Sequence, residues 1–223
     1  MPTRFRPTRL HPRPAHLLPM LPMAILVGLP AAGVIAAAAP FTAGWQAQSY
    51  PKVRGIVSAA VSKERAHSGQ SSLSAHVMLS GAVAVRRQGE VFVDMRFHPP
   101  GDLNAPIDLS GKTLSAWVYP PAGLQGPAHN PNGVRLFVKD SAWRSEYGAW
   151  THLTPGKWMR LTLVPSVQAP PTGYRDPNFS PRKIIVIGVS VATGKGSTAR
   201  FDGEMQIDDV TVAPGASYTF EAP

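Results

Sequence analysis

The 223-residue sequence contains no cysteine, and this absence removes three kinds of chemistry. Disulfide bonds cannot form, no thiol can act as a nucleophile, and no metal can be held by thiolates. The chain must therefore take its stability from core packing or from a metal bound by other ligands. With 223 residues, 43% of them hydrophobic, it has enough material for one sizeable folded domain or two small ones.

The sequence also has little clustered positive charge. The formal net charge is +9, but four arginines and no acidic residue precede position 38, so the remainder carries +5. Only two adjacent basic pairs occur in that remainder, Arg86–Arg87 and Arg182–Lys183. A nucleic-acid surface needs a basic stripe, so no nucleic-acid partner is predicted. A weak preference for acidic polymers remains compatible with the charge.

The N-terminal segment lacks charge over a long run. Four arginines are followed by an uncharged stretch from Leu17 to Ala39 that ends in small residues. This order is typical of a secretory signal peptide, predicted here as residues 1–38 with cleavage after Ala38. An uncleaved anchor is the alternative, because about 20 apolar residues can span a bilayer. Prolines interrupt the run, so the mature chain is predicted to be secreted or periplasmic, with no membrane span.

No amphipathic helix of normal length is visible, and the dominant period after residue 40 is two. Short alternating segments rich in β-branched and aromatic residues are separated by turn residues. The predicted strands lie within 71–79, 90–97, 113–119, 134–140, 158–164, 183–192 and 205–212. They predict an all-β fold, an antiparallel β-sandwich, as a single domain over residues 39–213. Residues 214–223 are either a tail or the start of a further module.

Four segments resemble a known family. They read DLSGKTLSAWVYPP at 108–121, VRLFVKDSAWRSEYGAWTHLTPGKWMRLTL at 134–163, DPNFSPRKIIVIGVSV at 176–191 and IDDVTV at 207–212. In this order they resemble carbohydrate-binding modules of the galactose-binding-like jelly-roll type, as attached to β-mannanases and related glycoside hydrolases. The resemblance implies a non-catalytic jelly roll that binds a polysaccharide, either a plant-type β-glycan such as mannan or a bacterial exopolysaccharide. The implied protein partner is a glycoside hydrolase or an envelope protein.

The resemblance also implies a structural calcium ion. The family's C-terminal metal ligand corresponds to Asp208, and backbone carbonyls near His67 and Gly69 would complete the site. Family members commonly carry a glutamate where this chain has Thr42, so the site has one carboxylate fewer. Calcium takes six to eight oxygen ligands, so calcium at Asp208 is an expectation that the missing carboxylate weakens. The alternative is that Asp208 caps a turn at the end of a strand.

The aromatic stretch 143–158 contains three of the five tryptophans and supplies three of the five predicted binding residues. Sugars present C–H faces that stack on aromatic rings and hydroxyls that need hydrogen-bond partners. The residues predicted to contact the polysaccharide are Trp143, Tyr147, Trp150, Arg135 and Tyr174. The alternatives stay open: the rings can cover a sheet edge, the arginine can lie on a solvated face, and Tyr174 can hold its own loop.

Three of the five tryptophans, Trp45, Trp117 and Trp158, are not in this predicted binding set and are expected to pack inward. Trp45 stands beside a glycine at the start of the fold, and Trp117 lies in a strand with Tyr119 on the same face. Trp158 opens a strand after the turn TPGK, so a sheet surface is available to receive its ring.

The main functional alternative is a jelly-roll glycoside hydrolase or lyase. Glycoside hydrolysis usually needs two carboxylates that flank the scissile bond. No Glu-x-Asp-x-Glu run occurs, and the pairs Glu90/Asp94 and Asp202/Glu204 do not make a convincing site. The chain is therefore not expected to be an enzyme. A second alternative is a structural or adhesion module of the cell envelope, which would bind a protein partner through the same aromatic patch.

Overall fold

The computed structural model describes residues 39–40, 44–49, 55–80, 88–98, 105–194, 200–214 and 217–220. These residues form strands and turns, and they include no helix that could cross a membrane. The strands are β1 (Ala39–Pro40), β2 (Trp45–Ser49), β3 (Ile56–Ser62), β4 (Ser72–Ser80), β5 (Gln88–Asp94), β6 (Thr113–Tyr119), β7 (Gly133–Asp140), β8 (Ser145–Tyr147), β9 (Thr151–His152), β10 (Met159–Leu163), β11 (Tyr174–Arg175), β12 (Ile184–Ala192), β13 (Arg200–Ala213) and β14 (Ser217–Thr219). The predicted signal peptide, residues 1–38, lies outside the described residues.

The strands build two sheets. In the first sheet the order is β1-β14-β13-β4-β3, with β6 beside β13 and β10 beside β6. In the second sheet the order is β11-β8-β7-β12-β5-β2, with β9 beside β7. All pairs are antiparallel except β1 with β14. The predicted antiparallel β-sandwich is confirmed.

Alternation along the strands places the core between the sheets. In β4, the side chains of Leu73, Ala75, Val77 and Leu79 are buried, while the residues between them are partly exposed. In β7, Val134, Leu136 and Val138 join the same core cluster. Successive side chains of a strand point to opposite faces, so Arg135, Phe137 and Lys139 lie on the outer face of the second sheet.

Trp117 and Trp158 correct the sequence prediction, because neither ring enters the core. The inward residues of β6 are Leu114, Ala116 and Val118, so Trp117 lies on the outer face of the first sheet. In β10, Leu161 and Leu163 are inward, which places the half-buried Trp158 on the same outer side.

The C-terminal residues extend the domain beyond the boundary expected at 213. Strand β14 pairs with β13 through Val210 opposite Tyr218. Phe220 is fully buried, and its ring centroid lies 5.5 Å from that of Trp45. Trp45 packs against the main core, as the sequence predicts. Residues 217–220 therefore belong to the sandwich, and the unit that contains both sheets spans Ala36–Pro223.

Candidate glycan-binding face on the second sheet

The outer face of the second sheet has an aromatic floor made of Phe92, Phe137 and Tyr147. The register places Phe92 opposite Gly188, Gly188 opposite Phe137, and Phe137 opposite Tyr147. A Cβ atom at Gly188 would lie 2.5 Å from the Phe137 ring, so the glycine allows that ring to lie across β12. The Phe137 and Tyr147 rings stack with centroids 5.2 Å apart. All three floor residues are buried, at 7%, 0% and 8% exposure.

Arg135 lies against two of the predicted binding residues. Its guanidinium carbon is 4.1 Å from the Tyr147 ring centroid and 4.0 Å from that of Trp150. Trp150 is half-buried and also packs over the backbone of Gly133. The rings of Tyr147 and Trp150 are thus already in contact with side chains of the protein. Their geometry favours a role in fixing Arg135 over direct stacking on a ligand.

A buried charge lies under this arrangement, and sequence reasoning assigned it no role. Glu90 is fully buried on β5, where its Oε1 accepts a 2.7 Å hydrogen bond from the Tyr147 hydroxyl. The Lys139 Nζ lies 3.6 Å from Glu90 Oε2. A buried carboxylate is tolerated only with such partners. The alternation of side chains in the sequence could have indicated this position of Glu90, because it places Glu90 on the same face of the strand as Phe92 and on the other face from Val91.

Trp143 is displayed on the turn that joins β7 to β8. Its side chain is 49% exposed, and its backbone has a φ of 60°, a region that bulky residues rarely occupy. The Asp140 carboxylate holds the turn, because it accepts hydrogen bonds from the backbone N–H groups of Ala142 (2.9 Å), Arg144 (3.0 Å) and Ser180 (2.9 Å). Asp140 is only 2% exposed, so these bonds are shielded from water. A strained conformation of this kind persists only where the surroundings determine it.

Two cations lie beside the Trp143 ring. The Arg96 guanidinium carbon is 5.5 Å from the ring centroid, and the Lys139 Nζ is 5.7 Å from it. Both distances are within the range of cation–π attraction. Arg96 is fixed in turn by Asp94, with 2.7 Å between Nη2 and Oδ2. Burial acts to raise the pKa of Asp94, but the hydrogen bonds from Arg96 outweigh burial and the pKa is lowered.

Tyr174 is the second exposed ring, at 52% exposure. Its strand β11 pairs with β8, which puts Tyr174 opposite Tyr147 with ring centroids 6.3 Å apart. The Tyr174 hydroxyl donates a 2.6 Å hydrogen bond to Asp176 Oδ1. This bond raises the pKa of Tyr174 and lowers the pKa of Asp176. The ring is therefore held in place while it remains open to solvent.

The five predicted residues thus come together on one face, with two different arrangements. Trp143 and Tyr174 expose their rings. Arg135, Tyr147 and Trp150 pack on one another beside the floor. The exposed glutamines Gln46 and Gln48 of β2 share this face, because they lie opposite Phe92 and Glu90.

The residues around Asp208 do not fit a calcium site. Asp208 is fully buried, and its Oδ2 accepts hydrogen bonds from the backbone N–H groups of His67 (2.8 Å) and Ser68 (3.2 Å). Its Oδ1 accepts from the N–H of Asp209 at 2.8 Å. These three bonds satisfy the buried carboxylate without a cation. No cluster of three or more metal-binding side chains occurs among the described residues, and Thr42 lies outside them.

Asp208 and Asp209 instead hold the loop that carries His67. Asp209 Oδ2 is 2.6 Å from His67 Nδ1, and Asp209 Oδ1 accepts a hydrogen bond from the Ser68 hydroxyl. The His67 ring stacks on Trp117 with a centroid distance of 4.1 Å and meets the edge of Trp158 at 5.3 Å. The aromatic surface of the first sheet is therefore partly covered by the protein's own loop.

Comparison with known proteins gives similar structures but no sequence family. No protein-family model matches the chain, and no curated protein matches it. A structure of carbohydrate-binding modules from the β-sandwich superfamily is 14% identical, with a TM-score of 0.47, and covers 79% of this chain and 63% of its own. The CBM27-1 module of Caldicellulosiruptor saccharolyticus, in complex with mannohexaose, is 14% identical, with a TM-score of 0.46 and coverages of 75% and 88%.

A xylan-binding domain, CBM22-1 from Paenibacillus barcinonensis, is 17% identical, with a TM-score of 0.37 and coverages of 75% and 86%. This chain therefore spans less than two thirds of the first of these structures and most of the other two. Likenesses at these identities and TM-scores do not identify a ligand. The ligand of this chain has to be inferred from the residues of its own site.

Proposed function

We propose that the chain binds a polysaccharide without catalysis, through the outer face of the second sheet. The observation that carries the proposal is the display of Trp143. The ring of Trp143 is half exposed, and the backbone of this residue has a φ of 60°. The turn that carries it is fixed by the buried carboxylate of Asp140. Exposing the ring and straining its backbone both cost stability, so a use for the open ring is the simplest reason for the arrangement.

The chemistry of this face suits a sugar chain. The open rings of Trp143 and Tyr174 offer flat apolar surfaces for the C–H faces of pyranose rings. Arg96 beside Trp143 supplies hydrogen-bond donors, and the exposed amides of Gln46 and Gln48 can both donate and accept. Binding sites of this kind combine apolar contact with a few placed polar groups. The ligand we propose is a plant-type β-glycan such as mannan or a bacterial exopolysaccharide.

The acidic groups on this face favour binding over hydrolysis. A glycosidase needs one carboxyl group whose raised pKa keeps it protonated as the general acid. Here the pKa values of Asp94 and Asp176 are lowered, and Glu90 is buried against Tyr147 and Lys139. Asp94 and Asp176 are therefore not suited to donate a proton to a bound glycan, and Glu90 is fully buried. This supports a non-catalytic module over a jelly-roll hydrolase or lyase.

The setting of the protein is part of the proposal. The predicted signal peptide would export the chain to the periplasm or the medium, where polysaccharides are met. A binding module there would serve a glycoside hydrolase or an envelope protein. We propose such a partner from the sequence resemblance, and the second-sheet face is the surface that would hold the shared substrate.

Affinity electrophoresis of the mature protein in gels that contain mannan, xylan, xyloglucan or β-glucan tests the proposal. At least one neutral glycan should retard the wild-type protein, and Trp143→Ala should lose most of that retardation. Trp158→Ala serves as the matched control, because its ring lies on the first sheet. A reducing-sugar assay on the retarding glycan should show no product. Retardation lost in Trp158→Ala but kept in Trp143→Ala would place binding elsewhere, and release of sugar would contradict the non-catalytic function.

A further inference from the structure

A separate cleft of about 550 Å³, lined by both polar and apolar residues, includes Ser180, which is bonded to the turn that carries Trp143. Its walls come from three segments, 110–111, 166–168 and 180–182. The backbone N–H of Ser180 donates to the same Asp140 carboxylate that fixes the Trp143 turn, so the cleft adjoins the candidate glycan-binding face. A cleft of this size is in the range that holds small ligands, and it can admit a sugar unit.

The lining of the cleft offers hydrogen-bond donors. The Ser166 hydroxyl oxygen accepts bonds from the backbone N–H groups of Gln168 (3.1 Å) and Ala169 (3.4 Å), which leaves its own hydrogen available to a ligand. Gln168 and Ser180, whose side chains carry an amide and a hydroxyl, are also among the lining residues. Such groups suit the hydroxyls of a sugar, which need both donors and acceptors.

Arg182 gives the cleft its charge. Its side chain is exposed and lines the cleft, and within the described residues it donates no hydrogen bond and forms no ion pair. The charge of Arg182 acts on the carboxylate of Asp108. Hydrogen bonds from Ser110 lower the pKa of Asp108, and the charges of Arg182 and Lys112 act in the same direction. Among the residues that line the cleft, Arg182 alone carries a charge.

We propose that this cleft is a subsite for a negatively charged sugar unit, whose carboxylate or sulfate ester pairs with the Arg182 guanidinium. The planar guanidinium presents two parallel N–H donors that can bond to two oxygens of one carboxylate or sulfate group. The side chains of Ser166, Gln168 and Ser180 would donate hydrogen bonds to the hydroxyl oxygens of the sugar. This inference rests on the proposed function and narrows it to glycans that carry acidic units.

The test compares binding of neutral, uronate-bearing and sulfated polymers. Affinity electrophoresis would use glucomannan, alginate, polygalacturonate and dextran sulfate, with wild-type protein, Arg182→Gln and Lys183→Gln. Lys183 is the matched control, because it is exposed next to Arg182 but does not line the cleft. Arg182→Gln should weaken binding of at least one acidic polymer about tenfold, the typical effect of losing a charge-assisted hydrogen bond. Lys183→Gln should change it less than about twofold, and neither variant should affect glucomannan.

Each outcome separates the subsite from the general function. Loss of alginate and polygalacturonate binding alone identifies a carboxylate ligand, while loss of dextran sulfate binding alone identifies a sulfate ester. Equal losses in Arg182→Gln and Lys183→Gln would show general charge attraction and overturn the subsite. Unchanged binding in Arg182→Gln would overturn it too, and the proposed function would stand as long as any glycan binds. If the wild-type protein binds none of these glycans, both the subsite and the proposed function are overturned.

Discussion

At position 143, replacement by glycine should give a more stable protein than replacement by alanine, although alanine is usually the more stable of the two. Both variants lose the same ring, and therefore the same contacts with Arg96 and Lys139. They differ in the backbone, because residue 143 has a φ of 60°. A left-handed conformation costs a non-glycine residue about 1–2 kcal/mol, whereas glycine adopts it freely. After the greater unfolded-state entropy of glycine is subtracted, Trp143→Gly should be more stable than Trp143→Ala by about 0.5–1 kcal/mol.

Thermal and urea unfolding of the two variants measure this difference. For a domain of this size, 1 kcal/mol corresponds to a shift of about 2–4 °C in Tm. Ala142→Gly in the same turn is the control, since Ala142 is not among the described residues with positive φ. That change should lower the Tm. Both Trp143 variants should bind glycan equally poorly. A Trp143→Gly variant less stable than Trp143→Ala would show that this turn does not hold residue 143 in a strained conformation.

Three further predictions concern other parts of the sandwich. The hydrogen bond from Tyr174 lowers the pKa of Asp176, so this bond stabilises the fold above the usual pKa of 3.8 and stops doing so as the pH falls through the lowered pKa. The Tm difference between wild type and Tyr174→Phe should therefore shrink between pH 7 and pH 2. A Tm difference that stays constant over this range would contradict the prediction. Chelation of calcium should leave the Tm unchanged, since backbone N–H groups occupy the Asp208 carboxylate, and a Tm drop that calcium reverses would show the opposite. In urea, Trp158→Ala should cost about 2 kcal/mol, roughly half the loss of a fully packed tryptophan, and a loss of 4 kcal/mol or more would place the ring in the core.

The period of two predicted the strands well, but it could not decide which face of a strand is buried when both faces are apolar. In β6, Leu114, Ala116 and Val118 alternate with Trp117 and Tyr119. Aromatic size favours Trp117 as the core residue, yet the smaller side chains pack between the sheets. The larger rings are covered instead by the loop that contains His67, which comes from a distant part of the sequence. Only the tertiary structure brings that cover into view.

The candidate site was predictable as a group of residues but not in its internal arrangement. The sequence places Trp143, Tyr147 and Trp150 close together, and the structure brings Arg135 and Tyr174 to the same face. Which rings are open depends on contacts between strands. Glu90 and Lys139 meet only because β12 lies between their strands and brings both to one side. Likewise, the positive φ of Trp143 follows from hydrogen bonds to the Asp140 carboxylate, which local sequence does not reveal.

The indole N–H signals of the five tryptophans provide the most direct test of where a polysaccharide binds. In a ¹⁵N-labelled mature protein, these signals can be assigned by single Trp→Phe variants and followed as a soluble mannan, xylan or alginate oligosaccharide is added. We expect the Trp143 signal to shift most and the signals of Trp117 and Trp158, on the first sheet, to stay in place. Shifts centred on Trp117 and Trp158, or no shift at Trp143 with any glycan that binds, would contradict the assignment of the second-sheet face as the binding site.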